Sequence, residues 1–324
     1  MAPSRLSLAL AEARLPVDGP VAVFAPTVET DLSALPRDRV QVISRDATVH
    51  AAFPAHDCRT LAEGPFAAAL VIVPRAKALA RALLAEAVAC CPEGLILVDG
   101  QKTDGVEALF KACRSRVAVL GQVTKAHGRA FWFRAAPDFD DWQAQPAEVA
   151  GFRTLPGVFS ADGIDPGSAL LAQHLPEKPG RFVADLGAGW GFLAAQALAT
   201  AGIEELHLVE NDAAALDCAR VNVPDPRARF HWADATRWDP PMLFDTVLMN
   251  PPFHQGRKGA PDLGVAFITA AARILQPRGQ LVLVANRHLP YEAALQAGFA
   301  TLDEIAGNNR FKILAATRPT RRRR

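Results

Sequence analysis

Apolar residues along this chain fall into short dense runs separated by longer Ala- and Leu-rich stretches, and the whole rhythm is heard twice. In the first half, β-rich runs at 21–25, 40–43, 67–73, 95–98 and 117–120 predict strands, with Phe131-Trp132-Phe133 as the last. Dense apolar runs of this length suit strands covered on both faces. Residues 76–91 and 104–113 predict helices between them. Strands alternating with helices indicate an α/β domain with a mostly parallel sheet. Residues 135–151 then turn polar, with Pro137, Pro146 and an acidic cluster, which reads as a linker.

The second half restarts the pattern. Strands are expected at 181–186, 206–210, 230–233, 245–249 and 280–284, with helices at 191–201, 212–221 and 265–275. Residues 300–305 and 310–315 flank Gly307-Asn308-Asn309 and predict a closing hairpin. The halves also parallel each other. Phe66 to Pro74, a helix and then residues 92–98 match Phe244 to Pro251, a helix and then residues 277–283. Such order implies an internal duplication. One difference matters: Val73-Pro74 stands where Asn250-Pro251 stands, and the first half has no glycine-rich loop after its opening strand. The first half is expected to have kept the fold and lost the chemistry.

A chain of 324 residues exceeds one ordinary core, so two domains are expected. No apolar run approaches the roughly 20 residues that span a bilayer. Residues 1–14 mix Arg5, Glu12 and Arg14 into their apolar positions and lack a signal-peptide core, so a cytoplasmic protein is expected. The five cysteines have no metal-site spacing and are expected as buried free thiols, with no metal site. A net charge of +1 argues neither for nor against nucleic acid. Lys125, His127, Arg129 and Arg134 could face phosphates or simply solvent, and the basic run at 321–324 reads the same way.

The chemistry concentrates in the second half. Asp185-Leu-Gly187-Ala-Gly189-Trp-Gly191 joins a strand to a helix, where glycines let the backbone turn sharply and approach a ligand. Glu210 ends the next strand and could accept from both hydroxyls of a ribose. Asp234 follows the strand after that, within reach of an adenine amino group. Phe192 fills the place of the third glycine of the dinucleotide fingerprint, which disfavours a pyrophosphate cofactor and suits adenosine without one. At the end of strand 245–249, Asn250-Pro251-Pro252-Phe253 fixes an amide, a carbonyl and a ring on a stiff corner.

These successive segments resemble the motifs of class I S-adenosylmethionine-dependent methyltransferases. More narrowly, Gly157 to Ser168, Asn250 to Gly256, Val284 to Tyr291 and Arg310-Phe311-Lys312 resemble the bacterial ribosomal RNA guanine-N2 methyltransferases of the C type, which act on the small subunit, and their large-subunit relative. The first half resembles their degenerate N-terminal domain only through residues 94–105 and the duplicated layout. Trp190 departs from the usual glycine loop. The resemblance implies two tandem Rossmann-like α/β domains, the second with a seven-stranded sheet and a closing antiparallel hairpin. Their expected bounds are 1–140 for the degenerate domain, 141–155 for the linker, 156–316 for the catalytic domain and 317–324 for a basic tail. It implies S-adenosylmethionine as cofactor, held by Asp165, Asp185, Gly187, Gly189, Gly191, Glu210, Asp234 and Ala235. Asn250, Pro251, Pro252 and Phe253 would carry catalysis on ribosomal RNA or a ribosomal subunit. Asp165 reads equally well as a helix N-cap. His254 is adjacent, but the methylated amine loses its proton readily and needs no base. A protein-glutamine or small-molecule N-methyltransferase, and a non-catalytic RNA-binding assembly protein, remain alternatives on the residues alone.

Overall fold

The computed structural model describes residues 4–252, 254–255, 258–259 and 261–320, with 254–255, 258–259 and 261 described by their backbone alone. The chain forms two compact units, Met1–Pro146 and Ala147–Arg324.

The first unit opens with helix α1 (Arg5–Ala13), capped by the Ser4 side chain. Strands β1 (Val21–Phe24), β2 (Val40–Ile43), β3 (Asp57–Arg59), β4 (Ala68–Ile72), β5 (Leu95–Gln101), β6 (Val119–Lys125) and β7 (Gly128–Arg134) follow, with helices α2 (Ala47–Ala52), α3 (Lys77–Ala89) and α4 (Val106–Arg114) between them. They form one seven-stranded sheet in the order β3-β2-β1-β4-β5-β7-β6. The first five positions pair in parallel, and β7 is antiparallel to both β5 and β6. Residues 135–151, polar by composition, do not form a free connection. Phe139 and Trp142 are buried and pack into the core beside α3, and the boundary between units falls after Pro146.

The second unit begins with a small antiparallel pair, β8 (Ala147–Val149) and β9 (Phe152–Thr154), and helix α5 (Pro166–Ala172). Then come β10 (Phe182–Leu186), α6 (Phe192–Leu198), β11 (Glu205–Glu210), α7 (Ala213–Asn222), β12 (Ala228–Trp232) and β13 (Phe244–Met249). A short pair, β14 (His254–Gln255) and β15 (Lys258–Gly259), precedes α8 (Pro261–Ile274), β16 (Leu275–Asn286), α9 (Glu292–Gly298), β17 (Phe299–Gly307) and β18 (Phe311–Pro319). Apart from the two short pairs, the strands form a seven-stranded sheet in the order β12-β11-β10-β13-β16-β18-β17. This is the first unit's order repeated, as the duplication requires. The closing hairpin is antiparallel, with its second strand inserted beside β16.

Apolar side chains of β10 and β13 alternate between two cores. Ala184, Leu186, Val247 and Met249 face one, and Val183 and Leu248 the other. Both faces are covered by helices, which is why these strands read as unbroken apolar runs. Of the cysteines, Cys91, Cys113 and Cys218 are buried, whereas Cys58 and Cys90 are partly exposed, and none forms a disulfide. Among the described residues no helix is long and apolar enough to cross a membrane.

In the first unit a buried ion pair ties α1 to the sheet. Arg5 donates to both carboxylate oxygens of Asp99, at 2.5 and 3.0 Å, and to the Lys125 carbonyl at 2.9 Å. Removing one partner leaves the other charge buried and unmatched. Asp99→Ala is expected to destabilise the protein by about 3–5 kcal/mol, while Arg5→Met with Asp99→Leu recovers most of the loss. Urea denaturation of the full chain checks this, and a double variant as unstable as Asp99→Ala would contradict it.

Candidate active site

Leu186 of β10 stands opposite Met249 of β13 in the parallel ladder. One step further along each strand are Gly187 and Asn250, so the glycine loop and the Asn-Pro-Pro corner leave the sheet side by side. Sheet order reverses between these two strands, since β11 and β12 extend from β10 while β16 extends from β13. Connections diverge at such a point and leave a crevice beyond the strand ends. A cleft open to solvent lies there; its walls include Gly187, Gly189, Trp190, Asp165, Ser168 and Asn250.

The loop needs its glycines. Gly187, Gly189 and Gly191 have φ of +76°, +56° and +91°, a region that side-chain-bearing residues avoid. A Cβ on Gly191 would also come within 2.8 Å of Val223. Glu210, at the end of β11, locks the loop from below. Its carboxylate accepts the Gly189 N–H and the Asp212 N–H, each at 2.8 Å. The Asn211 N–H also acts on it, and the carboxylate still retains a lone pair for a ligand hydroxyl.

Asp185 is fully buried; neither carboxylate oxygen makes a hydrogen bond of ordinary geometry, and the Ala194 backbone N–H lowers its pKa only slightly. Burial first, and the negative charge of Glu210 second, push its pKa up to about 7. Burial also raises that of Glu210, against the opposing pull of the Asp212 and Gly189 N–H groups. Neither carboxyl lines the cleft, and burial disfavours the charge of both.

Asn250 is held rigidly. Its Nδ2 donates to Asp165 Oδ2 at 2.9 Å and to Ser168 Oγ at 2.8 Å. Asp165 is at the same time the N-cap of α5, accepting the Ser168 N–H at 2.8 Å, with Pro166 at the first helical position. Pro251 is buried and Pro252 exposed. Phe253 lies outside the described residues.

Asp234 and Ala235 are placed differently. Asp234 Oδ1 accepts from the Thr236 N–H at 2.9 Å and the Thr236 hydroxyl at 2.7 Å, closing a turn after β12. Ala235 is buried in the same core as Trp238. Neither residue borders the cleft, nor do Asp185, Gly191, Glu210, Pro251 and Pro252. In the first unit, Arg129 is bound to Glu107 at 2.9 Å and covers the Phe110 ring, so its charge is already matched. Arg134 donates to the Glu93 carbonyl at 3.4 Å.

Sequence reasoning missed the role of Trp190. Its ring packs with Phe152 and Phe192, and its indole N–H donates to the Phe159 carbonyl at 2.9 Å. Asn222 then clamps the loop to β9, donating to the carbonyls of Trp190 at 2.8 Å and Arg153 at 2.9 Å. These bonds bring Phe159, 54% exposed, and Ser160, at φ +53°, to the wall of the cleft. The available signal was an aromatic between Gly157 and the Asp165-Pro166 helix start.

Residues 150–315 match the family described as Methyltransferase small domain. The chain is similar to Ribosomal RNA small subunit methyltransferase C of Shewanella oneidensis, 32% identical over 258 residues that cover 75% of each chain. The protein of the same name from Shewanella amazonensis is 28% identical over 264 residues, 77% of each chain. Among solved structures, the T. thermophilus 16S rRNA N2 G1207 methyltransferase, in complex with AdoMet and guanosine, superposes with a TM-score of 0.79. It is 25% identical, and the match covers 98% of this chain and 92% of that one.

Burial of Asp185 has a measurable consequence. Between its ordinary value of 3.8 and about 7, the folded chain keeps a proton that the unfolded chain has released. The stability linked to this group is therefore complete below the lower value and is lost as pH rises through the upper one. Asp185→Asn, which does not titrate, is expected to exceed the wild type in stability above pH 7 by an amount on the order of a few kcal/mol. The gap should shrink toward pH 4. Urea melts across that range check it; a gap independent of pH would refute the assignment.

Proposed function

This chain belongs to the family of ribosomal RNA small subunit methyltransferases C, and we propose that its second unit methylates the exocyclic N2 amine of a guanine in small-subunit ribosomal RNA, using S-adenosylmethionine. The observation that carries this reading is the placement of the glycine loop and Asn250 on adjacent strand ends in one cleft. The residues suit such a cofactor. A glycine loop admits close backbone approach, Glu210 presents a fixed acceptor for ribose hydroxyls, and the buried acid Asp185 directly precedes the loop. Asp234 and the Ala235 backbone are proposed for the adenine end, and Asp165, whose Oδ1 the bonds to Asn250 and Ser168 leave unused, for the amino acid end.

The bound cofactor supplies a methyl group on a sulfonium centre, a good leaving group. The protein's task is alignment and polarisation. An aromatic amine is a poor nucleophile because its lone pair is delocalised into the ring. Asn250 Oδ1 and the Pro251 carbonyl each accept one of its N–H bonds, draw the nitrogen toward tetrahedral geometry and aim the lone pair outward. The same acceptors favour the positive charge that develops on nitrogen. Pro252 stiffens the corner, and Phe253 stacks on the base for roughly 1–3 kcal/mol. A base inside a helix must first be flipped out, at a cost of a few kcal/mol.

The first unit holds the RNA or supports the second, and ribosomal RNA or a ribosomal subunit in the cytoplasm is the partner. Labelled methyl transfer to small-subunit RNA, followed by nucleoside analysis, should yield N2-methylguanosine; label on glutamine or on no RNA would sink the reading. Asn250→Ala is expected to lower kcat about 100- to 1000-fold with cofactor affinity nearly intact. Glu210→Ala should instead weaken cofactor binding about tenfold or more by calorimetry, as expected for a lost hydrogen bond to a charged group. Unchanged binding would remove Glu210 from the site.

A further inference from the structure

We infer that Asp165 and Ser168 form an orientation lock on the Asn250 amide, fixing which of its two edges meets the substrate amine; this rests on the reading of the site given above. A side-chain amide has one accepting and one donating edge, and its last torsion is close to two-fold. A rigid backbone corner therefore does not decide which edge faces the cleft. Asp165 decides it. A carboxylate oxygen can only accept, so the amide nitrogen must face it. Asp165 Oδ2 at 2.9 Å and Ser168 Oγ at 2.8 Å together use both hydrogens of Nδ2. Asn250 Oδ1 is left on the opposite edge and receives no hydrogen bond from the described residues. Asn250, Asp165 and Ser168 all border the cleft that holds the glycine loop.

The lock is built on a firm base. Asp165 Oδ2 is itself set by the Ser168 N–H at 2.8 Å, at the start of a helix whose first residue is Pro166. A flipped amide would place oxygen against carboxylate oxygen and lose a charge-assisted bond, the stronger kind. It would also point an N–H at the amine nitrogen. That N–H would bind the lone pair needed for attack on the methyl group. Asp165 and Ser168 are thus positioning residues: they reach the amine only through Asn250.

The lock must be separated from two other roles of Asp165, the cap of α5 and the proposed contact to the amino acid end of the cofactor, which is why the cofactor is kept saturating. Asp165→Ser keeps a good capping hydroxyl but is too short to reach Asn250. At saturating cofactor, this variant is expected to lower kcat about 10- to 100-fold, in line with one lost charge-assisted bond, with KM for RNA within about threefold of the wild type. Ser168→Ala should show a smaller loss of the same kind. The full-length protein, selectively labelled at asparagine, should show a slowly exchanging Asn250 side-chain amide pair by NMR, lost in Asp165→Ser. Asp165→Asn keeps an oxygen for the Ser168 N–H but removes the charge that fixes the Asn250 amide, and is expected to lower kcat by less than Asp165→Ser. A capping role alone would leave both variants, which keep the cap, at the wild-type kcat. Amide signals unchanged in Asp165→Ser would show that the lock does not exist. Altered signals with unchanged kcat would show that it positions nothing. Were the wild type to methylate no guanine, the functional reading would fall, while the amide signals would still decide for or against the lock.

Discussion

The site depends on the register between β10 and β13. A slip of one residue would move the glycine loop past Asn250 by about 3.3 Å and exchange the faces of every side chain on the strand. Both faces are apolar here, so burial alone discriminates weakly against such a slip. Polar ties at the opposite end of the strands do it instead. Asp245 Oδ2, at the start of β13, accepts the Arg181 and Phe182 N–H groups at 2.8 and 3.0 Å, just as β10 begins. Thr246, fully buried, donates its hydroxyl to the Pro179 carbonyl at 2.6 Å. Two side chains at one end of the sheet thereby set the distance between loop and amide at the other.

The same strand carries the structure's clearest local cost. Asp185 occupies the interior without a hydrogen bond of ordinary geometry, its charge disfavoured by burial and by Glu210. Interiors tolerate a group of this kind where function requires it. A hydrophobic residue at 185 would stabilise the sheet but would remove the acid that directly precedes the glycine loop. Glu210 offsets part of the cost through its backbone bonds, and the one from Gly189 shapes the loop. Electrostatic strain and loop geometry are therefore one feature.

Local pattern made the sheets legible. Strand runs such as 245–249, the glycine loop with its positive-φ positions, and the Asn-Pro-Pro corner are written in consecutive residues. What pattern could not supply was pairing over distance. Asn250 and Asp165 are separated by 85 positions, and nothing in either segment announces the bond between them. Trp190 looked like an exception within a glycine loop, yet it anchors the Phe159 segment through a single indole N–H. Composition misled at 135–151, where two aromatic side chains among acids and prolines were enough to bind the stretch to a core. Helix α1 was hidden for a similar reason: Arg5 looks like a surface charge until Asp99 stands beside it.

The first unit shows how little separates a methyltransferase-like sheet from a working site. Its strand order is the same as the second unit's, and its own cleft lies where Thr27, Asp31, Val73 and Asp99 meet. At the position of Asn250 it has Val73, buried at 4% in the core. A valine there offers no acceptor to an amine and gains stability by packing inward. Arg5 and Asp99 satisfy each other in that unit, so the acid is not held in reserve for a ligand. In the second unit Asp165 is satisfied by Asn250, an amide that keeps one edge over. An ion pair closes on itself, whereas a carboxylate–amide pair leaves an acceptor facing outward. On this view the duplicated units diverged less in fold than in whether their buried polar groups were fully matched.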